Sequence, residues 1–183
     1  MNRNLYVVMG ITGCGKSTVG ELLARKLGVD FVEGDDYHSR ENVQRMKSGT
    51  PLTDDDRAEW LRALAKRIRV AKDANAGIVL TCSALKRSYR DVLRSAAPQV
   101  RFIFLKGSRS LIEKRISTRQ GHFMPPSLIE SQLSTLEEPH ADEHAWLYEI
   151  EWSPEDIVTW LNRPSWKLSV TNRFCGIRTS ISS

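Results

Sequence analysis

Residues 10–17 read Gly-Ile-Thr-Gly-Cys-Gly-Lys-Ser, a match to the pattern G-x-x-x-x-G-K-[ST]. This pattern constrains the fold because its chemistry needs a strand before it and a helix after it. Leu5 to Met9 is a short continuous apolar run, as in a strand buried on both faces of a parallel sheet. From Lys16 to Leu27, Val19, Leu22, Leu23 and Leu27 recur at helical spacing, and Gly28 follows as a stop. The glycines allow positive φ and remove Cβ atoms where backbone must wrap an anion. The amides then form a nest at the positive end of the following helix.

The motif predicts a nucleoside triphosphate, ATP, held by Gly10, Ile11, Thr12, Gly13, Cys14, Gly15, Lys16, Ser17 and Thr18. Lys16 is the mobile charge for the β- and γ-phosphates, and the Ser17 hydroxyl is a ligand for Mg²⁺. Cys14 reads as a small filler rather than a nucleophile.

Downstream, strand and helix signals alternate. Phe31 to Glu33 predicts a second strand ending in the acids Glu33, Asp35 and Asp36. Thr53 and Asp56 resemble a capping box with Asp in place of Glu, opening a helix with Trp60, Leu61, Leu64 and Ile68 on one stripe. Ile78 to Cys82 predicts a third strand, followed by a polar helix through Arg94. Phe102 to Leu105 predicts a fourth, followed by a helix from about Ser110 to Arg119. A short helix is expected from Ser127 to Leu136, a last strand over Trp146 to Trp152, and a helix opening at Pro154. The fold class is therefore α/β, a three-layer arrangement on a mostly parallel sheet of about five strands. Residues 1–164 are expected to form one domain and 165–183 a polar tail without period.

With 183 residues, 40% hydrophobic and 27% charged, the chain has the composition of a soluble globular protein. The net charge of +5 is spread along the chain, which argues against nucleic acid as partner. No apolar run approaches a membrane span of roughly 20 residues. The three cysteines, Cys14, Cys82 and Cys175, have no paired spacing, so a cytoplasmic setting is expected. The absence of an Asn-Lys-x-Asp motif weakens a GTPase reading.

Several further motifs lie in register: Gly34 to His38 (Gly-Asp-Asp-Tyr-His), Gly49 to Arg57 (Gly-Thr-Pro-Leu-Thr-Asp-Asp-Asp-Arg) with Trp60-Leu61, Cys82 to Lys86 (Cys-Ser-Ala-Leu-Lys) with Tyr89-Arg90-Asp91, and Gly121 to Pro125 (Gly-His-Phe-Met-Pro). In these the chain resembles the bacterial gluconokinase family, within the shikimate- and nucleoside-monophosphate-kinase-like P-loop group. The resemblance runs from Leu5 to roughly Pro139 and lapses beyond about Trp160. It implies phosphorylation of gluconate by ATP, a homodimer, and a mobile lid at approximately 119–138.

A phosphoryl acceptor needs a carboxylate beside its hydroxyl, and Asp35 is favoured over Asp36 for that role. Similarity to shikimate kinases makes Glu33 the acid on the metal side. The carboxylate of the acceptor calls for fixed cations. Lys86 and Arg90, one helical turn apart and expected on one face, are candidates, with His38 and Arg57 as further donors. Arg115 and Arg119 read as lid arginines that meet the phosphates, and His122 as a lid contact to acceptor or phosphate. His140, Asp142, Glu143 and His144 read as a solvated loop. The alternatives are another kinase of this fold, for shikimate or a nucleotide, and a P-loop binding module without turnover.

Overall fold

The apolar runs become parallel strands covered on both faces. The computed structural model describes residues 4–118 and 126–161. Its strands are β1 (Leu5–Met9), β2 (Asp30–Val32), β3 (Ile78–Thr81), β4 (Arg101–Lys106) and β5 (Trp146–Glu149). Its helices are α1 (Lys16–Leu27), α2 (Arg40–Lys47), α3 (Asp54–Asp73), α4 (Arg87–Ala96), α5 (Arg109–Ser117), α6 (Pro126–Thr135) and α7 (Pro154–Leu161). The sheet order is β2-β3-β1-β4-β5, with every pairing parallel.

Alternation along β1 divides the core in two. Leu5, Val7 and Met9 face a cluster with Trp60, Leu61, Leu64 and Ile68 of α3 and Leu93 of α4. Tyr6 and Val8 face the other side, with Val19 and Leu23 of α1 and Ile157, Val158 and Leu161 of α7. The side-chain period of two places neighbouring residues on opposite faces, and helices cover both.

Local signals set the helix ends. Gly28 adopts a left-handed conformation at φ 64° and its N–H closes on Ala24 and Arg25 carbonyls, ending α1. The Thr53–Asp56 capping box is present at the start of α3. Helix α2 is one that no apolar spacing in the sequence predicts, and the reason is physical. Its one buried residue is Asn42, so it has no apolar stripe to announce it. Polar contacts hold it instead: Ser39 accepts from the Asn42 N–H at 3.1 Å, Asn42 Nδ2 donates to the Asp56 carbonyl at 2.7 Å, and Arg45 pairs with Asp56 at 2.8 Å. The last strand is shorter than the alternation from Trp146 to Trp152 suggests. The chain turns after Glu149, where Trp152 N–H donates to the Glu149 carbonyl and the Trp152 ring is exposed. The expected boundary at residue 164 and the tail 165–183 lie outside the described residues.

Candidate active site

The chain leaves β1, runs out to β2, returns to β3 beside β1, and only then crosses to β4. The crevice at the carboxyl ends of these strands is where such sheets bind ligands. Gly10, the Glu33–Asp36 turn and the loop after β3 all lie there.

The phosphate-binding loop turns through positive φ at Gly10 (140°), Gly13 (79°) and Gly15 (94°). Close packing adds to the demand for glycine at position 13, because a Cβ there would lie 2.8 Å from Ile116 of α5. Gly15 occupies the cap position of α1 without a side-chain hydrogen bond, and the first turn of α1 carries no acid. That helix start is left open to an anion, with the macrodipole behind it. Lys16 Nζ donates to the Ile11 carbonyl at 3.1 Å. Arg115, one of the predicted lid arginines, lies against the loop. Its Nη1 is 3.7 Å from where a Cβ on Gly15 would stand, and its Nη2 donates to the Ile150 carbonyl at 2.5 Å. The Cys14 thiol is fully buried and burial pushes it up, opposed by Lys16 nearby, in keeping with a filler role. Ser17 is half-buried and Thr18 exposed at the helix start.

The acidic turn is pinned from several sides. Gly34 to Tyr37 forms one 3₁₀ turn. The Gly34 N–H donates to Thr81 Oγ1 at 3.0 Å, and that hydroxyl donates to Glu33 Oε1. Trp60 Nε1 donates to the Gly34 carbonyl at 2.7 Å. A Cβ at Gly34 would fall 1.9 Å from the Thr81 carbonyl oxygen, so only glycine lets the turn approach β3 this closely. Asp35 and Asp36 both sit exposed on the turn. The Asp35 charge is felt by both His38 and Cys82. The Cys82 thiol is pushed up to about 12, chiefly by burial.

His38 stacks on Trp60 with ring centroids 4.2 Å apart, and its Nδ1 is buried without a hydrogen-bond partner. Burial pulls the imidazole below its ordinary value; Asp35 opposes this and Arg57 adds to it. Arg57 donates to the Leu52 and Thr53 carbonyls and lies 5.9 Å from the Tyr89 ring centre.

The structure overturns the expectation that Lys86 and Arg90 share a face. Lys86 is the cap residue before α4 rather than a member of it, and its Nζ binds both oxygens of Asp54 at 2.8 and 2.7 Å. Tyr89 Oη donates to the same Asp54 at 2.5 Å. Arg90 points inward and is 0% exposed. Its Nε and Nη2 bind Glu143 at 2.6 and 2.7 Å, and its Nη1 donates to the Ala84, Leu85 and Glu137 carbonyls. With every nitrogen engaged and no solvent access, Arg90 is an internal anchor and not a contact for a soluble acceptor. Glu143 likewise departs from the solvated-loop reading, because its side chain is only 1% exposed in this pair. His140, Asp142 and His144 are exposed, as expected of that loop. Thr81, which shapes the acidic turn, carried no sequence signal beyond lying on a buried strand, whereas Trp60 stood both on an apolar stripe and in the motif that follows Gly49 to Arg57. Arg119 and His122 lie outside the described residues.

Among the described residues no three His, Cys, Asp or Glu side chains cluster as a metal site. No helix there is long and apolar enough to cross a membrane.

A family model described as an AAA domain matches residues 5–139. The thermoresistant gluconokinase of Escherichia coli is 44% identical over 142 residues, covering 78% of this chain and 81% of that protein. A gluconokinase of Gluconobacter oxydans is 46% identical over 157 residues, covering 86% and 88%. The crystal structure of a gluconokinase from Sinorhizobium meliloti superposes with a TM-score of 0.79 at 45% identity, covering 86% of this chain and 89% of that one. A shikimate kinase from Bacteroides thetaiotaomicron, covering 86% and 96%, has a TM-score of 0.58 at 17% identity and shares the fold. On this open helix start, this pinned acidic turn and these relatives, the chain belongs to the gluconokinase family of P-loop kinases.

Proposed function

We propose that the chain transfers the γ-phosphoryl group of ATP to gluconate, giving 6-phosphogluconate and ADP. The observation that carries this reading is the uncapped start of α1 beneath the glycine loop, beside a carboxylate-bearing turn on the same sheet edge. Family membership supplies the acceptor: the named relatives are gluconokinases at 44 and 46% identity.

Residues 10–18 form the triphosphate loop, with the amides from Gly13 to Thr18 and Lys16 holding the phosphates, and Arg115 stands against the loop where charge develops during transfer. Asp35 orients the acceptor hydroxyl and takes its proton. The oxygen so activated bonds to the γ-phosphorus as the bond to the β-phosphate bridging oxygen breaks, and ADP carries away the charge. Asp35 is favoured over Asp36 by the similarity to shikimate kinases, and its charge is also felt by His38 on the acceptor side. His38, Arg57 and Lys86 are the acceptor-side donors, with Asp36 beside them. Arg119 and His122 are assigned to the lid by resemblance. Ser17 and Glu33 offer only oxygen donors, which suits a hard cation such as Mg²⁺ bound mainly by phosphates and water. Bound there, Mg²⁺ supplies positive charge to the phosphates. The reading extends to one domain over 1–164 with a polar tail, a homodimer, a cytoplasmic setting and no nucleic-acid partner.

The test is ADP release with Mg-ATP against gluconate, related sugar acids, shikimate and nucleoside monophosphates. Stimulation mainly by gluconate supports the reading; stimulation by shikimate or a nucleotide, or by nothing despite ATP binding, overturns it. Asp35→Asn is expected to lower kcat by about 10²–10⁴-fold with ATP affinity kept. A variant at Asp35 with wild-type turnover overturns the base assignment.

A further inference from the structure

The loop and α6 lie far apart in sequence yet meet through one polar contact. Gln132 Oε1 accepts the Thr12 N–H at 2.8 Å, across 120 residues of chain. The rest of α6 is held on its own terms. Leu128 and Ile129 are buried, Glu130 pairs with Arg109 at 2.7 Å, and Ser127 Oγ donates to the Gly49 carbonyl at 3.4 Å. Just past the helix, Glu137 N–H donates to the Leu85 carbonyl at 2.8 Å and Arg90 donates to the Glu137 carbonyl. The helix therefore needs no help from Gln132 to stay docked, and the Thr12 contact has to be explained by what it does for the loop.

We infer that Gln132 is a positioning residue that clamps the phosphate-binding loop to α6 and sets the geometry of its first arm. Thr12 precedes the left-handed turns at Gly13 and Gly15, so its N–H is upstream of the amides at the start of α1. Engaging it stiffens the loop without covering the anion site. The side-chain chemistry fits this duty. A neutral amide oxygen accepts the bond, whereas a carboxylate there would repel phosphate, and asparagine is one methylene too short to span the same gap.

The inference rests on the proposed gluconokinase activity for its kinetic arm only. In Gln132→Ala, kcat with gluconate is expected to fall roughly tenfold, the kinetic equivalent of one lost hydrogen bond, with KM for gluconate unchanged. Gln132→Glu keeps the acceptor oxygen, so its Tm should match wild type while ATP binding weakens more than in Gln132→Ala. Independently of any acceptor, amide hydrogen exchange at Thr12 in the ligand-free enzyme should be protected in wild type and in Gln132→Glu, and lost in Gln132→Ala. Equal Thr12 exchange in wild type and Gln132→Ala, or wild-type kcat in Gln132→Ala, overturns the clamp. A wild-type enzyme that gluconate does not stimulate would overturn the substrate reading alone, and the exchange comparison would still decide for or against the clamp.

Discussion

At the residue scale, the site is shaped by side chains whose environment is set at a distance of one or two contacts. His38 is the clearest case. It stacks on Trp60 and its Nδ1 has no partner, and burial holds its pKa below the ordinary histidine value. The sign of the linkage follows. Above about pH 6.5 the imidazole is neutral in both states and contributes no pH dependence. As pH falls below that value the unfolded chain takes up a proton that the folded one resists, so stability declines until the lower folded pKa is reached. Urea denaturation at pH 7.5 and 5.5 is expected to show this loss in wild type and a smaller one in His38→Gln. An equal loss in the variant would mean that other groups carry it. Gly34 shows the same economy of space, because its missing Cβ lets the acidic turn sit on the β3 backbone.

At the element scale, the start of α4 and the loop after β3 are organised from below by the Arg90–Glu143 pair. Ala84 adopts a left-handed φ of 45° while fully buried, a conformation that costs a non-glycine residue about 1–2 kcal/mol. Arg90 donates to the carbonyls of Ala84 and Leu85, so the anchor holds the strained loop where Lys86 leaves it for Asp54. Removing one partner would strand the other charge in the core. Arg90→Met and Glu143→Leu are each expected to destabilise by about 3–5 kcal/mol, with the double variant recovering much of the loss. Denaturant midpoints of the two single variants and the double variant check this. Additive losses would show that the two groups act separately.

At the scale of the whole molecule, a ligand that binds only the folded state must raise its stability. Mg-ATP at 100 times its dissociation constant is expected to add about 2.7 kcal/mol. For a chain of this size that corresponds to a Tm increase of roughly 5–10 °C. Lys16→Ala should lose most of that increase while keeping its ligand-free Tm. Calorimetry with and without nucleotide makes the measurement, and an undiminished shift in the variant would remove Lys16 from the phosphate site. The sheet, its parallel pairing and the loop between β1 and α1 were all legible in the amino-acid sequence, while the strand order was not. They follow from patterns local in the chain: apolar runs, helical spacing, glycines placed where φ must be positive, and a lysine and serine at a fixed offset. The capping box at Thr53 and the acids after β2 were legible for the same reason. Helix α2 was not, since it is polar and held by contacts to α3. The fates of Lys86 and Arg90 were not legible either. Spacing of four residues places two side chains on one face only if both belong to the helix, and Lys86 stands just outside it. Which way each charge turned was decided by partners at Asp54 and Glu143, and the clamp on Thr12 by Gln132. Those partners lie 32, 53 and 120 residues away, at distances where only the folded chain brings them together.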